Sequence, residues 1–166
     1  MNSRFYLPRK LHTDEKNYSE VDALDTALYV VVLAEPGAGK TRLLESLATQ
    51  LNTQKYSATT FLHRAINDHS IPLVIDGFDE LAKIDSSGIY KLLGKVSELQ
   101  PTKVIISSRS SEWDESYTLA FADFFGIKPN ILRIFAFDQD EQQKLFEDYL
   151  PDENFERFRT QVSQFN

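Results

Sequence analysis

Leu28-Tyr29-Val30-Val31-Val32-Leu33-Ala34-Glu35-Pro36-Gly37-Ala38-Gly39-Lys40-Thr41 is the stretch that decides how this chain folds. Its first seven residues form an unbroken aliphatic and β-branched run, the pattern of a strand buried on both faces of a parallel sheet. Glu35-Pro36-Gly37 closes that run. Beyond it, Leu43, Leu44, Leu47 and Leu51 fall on one helical stripe, so the order is strand, tight turn, helix. In such a turn Gly37 and Gly39 let the backbone curl with its N–H groups pointing inward, and with the helix N-terminus they make a nest for an anion. Lys40 would then reach the outer phosphates of a nucleotide, and the Thr41 hydroxyl would ligate magnesium. The candidate nucleotide-binding residues are Glu35, Pro36, Gly37, Ala38, Gly39, Lys40, Thr41 and Arg42. Ala34 departs from the pattern, which usually opens on glycine. A glycine-containing turn that merely caps a helix is the competing reading.

The alternation continues downstream. Ser57 to Asn67 looks helical through Phe61, Leu62 and Ile66, and Ile71 to Ile75 is a second buried strand. Only residues 42–70 separate Thr41 from that strand. This is short for a helix, a strand and another helix, so an intervening strand is either very short, around Gln54 to Ser57, or missing. Ser87 to Gln100 carries Ile89, Leu92, Leu93, Val96 and Leu99 at helical spacing, with Pro101 just beyond its end. A third strand, Lys103 to Ser107, follows directly, and Ile131 to Phe135 offers a fourth. Asp138 and Glu141 form a capping box for a helix to Leu150, and Asn154 to Phe165 is a last helical piece. Strands alternating with helices imply right-handed crossovers and a parallel sheet, whose ligands bind beyond the carboxyl ends of the strands.

Two further polar clusters fall at such strand ends. Leu73-Val74-Ile75-Asp76-Gly77-Phe78-Asp79-Glu80 puts one carboxylate at a strand terminus and two more a turn later. A hard cation holding a triphosphate wants oxygen ligands, so Asp76 is the candidate magnesium partner beside Thr41. Asp79 and Glu80 are candidates to orient or deprotonate the attacking water. Ser107-Ser108-Arg109 follows the third strand, where an arginine can contact the γ-phosphate and report its presence. The bland readings are a solvated loop or helix N-cap for the acidic cluster and a surface salt bridge for Arg109.

Composition bounds the rest. With 166 residues, 42% hydrophobic and 26% charged, there is apolar material for one core. A net charge of −7 argues against a broad nucleic-acid footprint, which needs clustered Lys and Arg. Cysteine does not occur, which removes disulfides and thiolate metal sites. The opening MNSRFYLPRK has no apolar leader region, and the run Ala27 to Ala34 is far too short for a bilayer, so a cytoplasmic protein without membrane contact is expected. His12, His63 and His69 are not at metal-ligand spacing. Phe121, Phe124, Phe125, Phe135 and Phe137 read as core packing rather than a base-stacking platform. Trp113 is compatible with either loop packing or a partner surface.

The combination AEPGAGKT, LVIDGFDEL and VIISSR, followed by FDQDEQQKLFEDYL, resembles the NACHT group of STAND signal-transduction ATPases. The likeness covers roughly Leu28 to Leu150, and Asp76 to Glu80 is its most discriminating part. It implies an α/β fold of the P-loop NTPase type, a three-layer sandwich with a mainly parallel sheet followed by the start of a helical domain. The boundaries expected are 1–24 for a lead-in arm, 25–137 for the nucleotide-binding domain and 138–166 for a helical extension. Phe5-Tyr6-Leu7-Pro8-Arg9 is similar to the short lead-in through which such proteins contact adenine. The resemblance also implies ATP or ADP and Mg2+ as cofactors, slow hydrolysis, and coupling to other domains or protomers of a larger signalling protein, of which this chain would be the core. A P-loop small-molecule kinase is disfavoured because Ser110 to Asn130 has only Lys128 as a basic residue, and a GTPase because no Asn-Lys-x-Asp sequence occurs. A scaffold or interaction module without turnover, which binds nucleotide structurally or has lost it, stays open.

Overall fold

The computed structural model describes residues 5–66 and 68–163. These divide into a larger unit, Arg9–Phe135, and a smaller one drawn from the two flanking segments. The larger unit runs β1 (Leu11–His12), β2 (Asn17–Tyr18), α1 (Glu20–Leu24), β3 (Tyr29–Ala34), α2 (Lys40–Gln50), β4 (Lys55–Ser57) and α3 (Ala58–His63). It continues with β5 (Pro72–Asp76), α4 (Phe78–Ile84), α5 (Gly88–Leu99), β6 (Lys103–Arg109), α6 (Glu115–Phe125) and β7 (Asn130–Ile134). One seven-stranded sheet orders them β2-β1-β7-β3-β6-β5-β4. From β7 to β4 every neighbouring pair is parallel, while β1 pairs antiparallel with both β2 and β7. The expected α/β architecture with a mainly parallel sheet is present.

Side chains alternate across the pleat, so each central strand feeds two cores. On one face Val30, Val32, Val74, Ile105 and Leu132 pack under Leu43, Leu44 and Leu47 of α2 and Ala23 of α1. On the other, Val31, Leu33, Leu73, Ile75, Val104 and Ile106 pack under α3 to α6, through Phe61, Phe78, Leu92, Val96 and Phe121 among others. That makes three layers within this unit. Each fully buried Leu contributes about 1.5–3 kcal/mol over an exposed one, so the α2 stripe alone anchors the turn that precedes it.

The strand in doubt exists and is short. β4 spans Lys55–Ser57 and pairs parallel with β5, Ser57 lying opposite Asp76. Three helices were not read from the sequence: α1 in the lead-in segment, α4 beginning inside the acidic cluster and α6 in the aromatic stretch after Trp113. The sequence placed the third strand's end at Ser107, but β6 runs on to Arg109, with Ser107 and Ser108 fully buried. The segment ahead of β3 contributes the β1–β2 hairpin and α1, and Ser19 closes a capping box with Asp22. Trp113 is a packing residue: its ring meets Phe78 and Tyr117, each at 5.6 Å, and its Nε1 donates to Thr118 Oγ1 at 3.0 Å. Phe121 is fully buried, whereas Phe124 and Phe135 are partly exposed at the surface.

Helix ends follow local rules. Lys95 of α5 donates to the carbonyls of Phe61, Leu62 and Arg64, closing the C-terminus of α3 with a cation where the helix dipole favours one. Desolvation pushes its pKa below the usual lysine value. α5 ends on Gln100 at φ 48°, a left-handed position that glycine fills without steric cost. Gln100→Gly is therefore expected to raise stability by about 0.5–1 kcal/mol, a gain of roughly 1–4 °C in thermal unfolding. An unchanged or lower midpoint would show that the Gln side chain compensates for the strain.

The smaller unit contains α7 (Gln139–Tyr149) and α8 (Phe155–Ser163). α7 has the expected capping box, Asp138 N–H donating to Glu141 and Glu141 N–H to Asp138, both at 2.9 Å. Phe146 packs its ring on Phe155 and Phe158 to join the two helices. The last residues expected to be helical, 164 and 165, lie outside the described residues.

Candidate functional site

β3 and β6 run in register from Tyr29 opposite Val104 to Ala34 opposite Arg109, and β5 reaches Asp76 beside Ser107. Three carboxyl ends thus stop along one edge, and the polar clusters gather there. Between β3 and α2 the backbone turns through Gly37 at φ 80° and Gly39 at φ 81°, with Ala38 N–H bonded to Glu35 O at 3.2 Å. A Cβ on either glycine would meet no neighbouring atom within 4 Å. The left-handed backbone, rather than crowding, calls for glycine at both places. Residues alternating between the two hands of backbone point successive N–H groups into one concavity. A turn of this shape can cradle an anion.

The first turn of α2 strengthens that reading. Gly39 caps the helix with no side-chain hydrogen bond, and the turn holds Lys40 and Arg42 but no acid. Lys40 already pairs with Asp79 at 3.1 Å and Arg42 with Glu45 at 3.2 Å, while the helix N-terminus itself, with no acid in its first turn, favours an anion set against it. Glu35 through Arg42, together with Asp79, Glu80 and Arg109, line an open cleft of about 400 Å³.

All but one of the residues expected at the site meet in this cleft. Asp79 is 1% exposed and bridges two cations. Lys40 Nζ stands 3.1 Å from its Oδ1 and Arg109 Nε 3.0 Å from its Oδ2, while Arg109 N–H donates to Oδ1 at 3.3 Å. Buried charges persist when paired and hydrogen-bonded, and Asp79 has three donors. Its neighbour Glu80 is exposed on the first turn of α4. Of the two carboxylates, Glu80 is the one that solvent reaches.

Asp76 is the residue outside the lining. Ser107 Oγ donates to its Oδ1 at 2.6 Å, and that hydroxyl in turn accepts the N–H of Gly77 at 3.0 Å. Lys55 Nζ lies 3.3 Å from Oδ2 and 3.4 Å from Glu45 Oε1 on α2. Sequence reasoning did not single out Lys55; the one trace of it is a lysine two residues ahead of the Ser57 cap, flanking a buried tyrosine. Among the described residues no group of three or more His, Asp or Glu side chains could hold a metal alone. A divalent cation here would need ligand oxygens from a bound phosphate, with Thr41 and Glu80 among the oxygen-bearing side chains of the lining. Arg9, in the lead-in segment, is buried away from the cleft lining; its N–H donates to Glu20 at 2.6 Å and its guanidinium to the Phe135 carbonyl.

No family model and no curated protein matches the sequence. Among solved structures, the AMPPCP-bound DnaA from Aquifex aeolicus is similar at 19% identity and a TM-score of 0.49, over 81% of this chain and 49% of that one. The chain therefore spans about half the length of that structure. No helix among the described residues is long and apolar enough to cross a membrane.

Proposed function

We propose that the cleft binds ATP and ADP, and that the chain is the nucleotide-binding core of a NACHT-like switch with slow ATP hydrolysis. The observation that carries this reading is the Gly37–Gly39 nest opening onto an α2 N-terminus armed with Lys40 and Arg42 and faced by Arg109. Phosphate oxygens would take the loop N–H groups and the Lys40 ammonium, and Thr41 and Glu80 would complete the surroundings of a magnesium carried in with them. Adenine over guanine is supported by the chain's lack of an Asn-Lys-x-Asp sequence. The Asp76-Gly77-Phe78-Asp79-Glu80 signature and the Ser107-Ser108-Arg109 strand end support the NACHT assignment, and with it coupling to other domains or protomers. In this reading Glu80 is the general base and Asp79 the residue that holds Lys40 and Arg109.

Calorimetric titration of the protein with ATP, ADP and GTP tests the binding claim: saturable binding of the adenine nucleotides alone is expected, and no heat at millimolar nucleotide would end it. Glu80→Gln is expected to keep that affinity while slowing hydrolysis about a hundredfold, the weight of one general base. Equal turnover in the variant would remove Glu80 from the chemistry. A module that binds without turnover is the second reading, favoured by the Asp79 carboxylate already occupying both Lys40 and Arg109. Hydrolysis undetectable in the wild type alongside intact binding would select it.

A further inference from the structure

Asp76 and Val74 share one face of β5, and Lys55, opposite Val74, projects along the same face from β4. The Lys55 ammonium thereby reaches Asp76 at 3.3 Å and Glu45 of α2 at 3.4 Å, with the Lys55 and Asp76 side chains only 21% and 13% exposed. Asp76 has its other oxygen on Ser107 at 2.6 Å. Both carboxylate oxygens are therefore engaged, one of them by an ammonium that it shares with Glu45. We propose that Lys55 is a built-in counter-cation for Asp76 that makes nucleotide binding at this cleft only weakly dependent on magnesium.

The physical argument is one of competition. An acidic residue at the end of this strand attracts a divalent ion if its charge is free, and the ion then ties the phosphates to the protein. Here Lys55 sits on that carboxylate and Arg42 meets Glu45 at 3.2 Å, so the two cations together offset the two acids, and the ammonium beside Asp76 disfavours a second cation within the same few ångströms. The partial burial of the pair keeps solvent from screening either effect fully. The triphosphate must then be held by the loop N–H groups, Lys40, Arg42 and Arg109 themselves. Lys55 is a positioning residue in this scheme, since it acts through Asp76.

The inference rests on the proposed binding of ATP, and one set of titrations separates the two. ATP is titrated into wild type, Lys40→Ala, Lys55→Met and Lys55→Arg, each with excess magnesium and again with EDTA, after circular dichroism has checked the fold. Wild type is expected to show a ratio of the two Kd values within about threefold, Lys55→Met a ratio about tenfold larger, and Lys55→Arg, which keeps the charge, the wild-type ratio. A wild-type ratio above about a hundredfold, or a Lys55→Met ratio equal to wild type, overturns the role of Lys55 while leaving the binding site intact if Lys40→Ala still abolishes binding. Should Lys55→Met fail to fold, the wild-type ratio decides alone. Absence of ATP binding in every protein overturns the nucleotide reading, and this inference with it.

Discussion

Lys40→Ala is expected to weaken ATP binding by about a thousandfold, beyond the range of calorimetry at practical concentrations. Each charge-assisted bond to a phosphate is worth about 1.5–3 kcal/mol, and the ammonium at this position is set to make two. The loop N–H groups and the α2 dipole remain, so residual binding of inorganic pyrophosphate should survive at high concentration. Stability should change little, because Asp79 keeps the Arg109 guanidinium and its backbone N–H after Lys40 is removed. The decisive comparison is Kd against unfolding midpoint. A variant that still binds ATP within tenfold of wild type would show that the glycine turn only caps a helix.

Asp79→Ala is expected to act the opposite way, on the fold before the ligand. Its carboxylate is the buried acceptor for Lys40 and for Arg109 twice over, and removing it strands three donors at the end of β6 and the start of α2. Breaking a buried pair from one side costs about 3 kcal/mol, moderated here because Lys40 and Arg109 keep some access to water. A fall of roughly 6–12 °C in unfolding temperature is the corresponding observable. Asp79→Asn keeps the shape and should lose less. In that variant ATP is expected to restore more of the melting temperature than it adds to wild type, since phosphate then supplies the missing anion. If Asp79→Asn melts like wild type and only hydrolysis falls, Asp79 is a base and not a counter-ion.

Much of the framework was legible because β3, β5 and β6 are short apolar runs ending in polar clusters, and α2, α5 and α7 keep one apolar stripe or a capping box. The glycine turn was legible for the same reason, since its chemistry is local. α4 was hidden because Phe78 to Leu81 doubles as an acidic motif, so its polar residues masked a helical turn that starts on Gly77 at φ 76°. α6 was hidden by Tyr117, Phe121, Phe124 and Phe125, aromatics with little helical preference, of which Tyr117, Phe121 and Phe125 pack against Tyr29 or Trp113 and Phe124 meets Tyr90. That these polar clusters meet was legible, but the ion pairs that Asp79 makes with Lys40 and Arg109 were not. Lys40, Asp79 and Arg109 stand 39 and 30 residues apart, and only the placing of β6 between β3 and β5 makes them neighbours. Lys55 was missed for a related cause, as its partner lies across a strand pairing whose existence the sequence left undecided.

The sheet ends in very short strands on both sides: β4 has three residues and β2 two. A long bare edge offers unpaired N–H and C=O groups as a template for another chain, the route by which sheets zip together into fibres. Here that template is only two or three residues long at either margin, too little to hold a foreign strand by its backbone. Copies of this protein brought close together would thus have to recognise one another through side-chain surfaces, which can be made specific and reversible in a way that backbone pairing cannot.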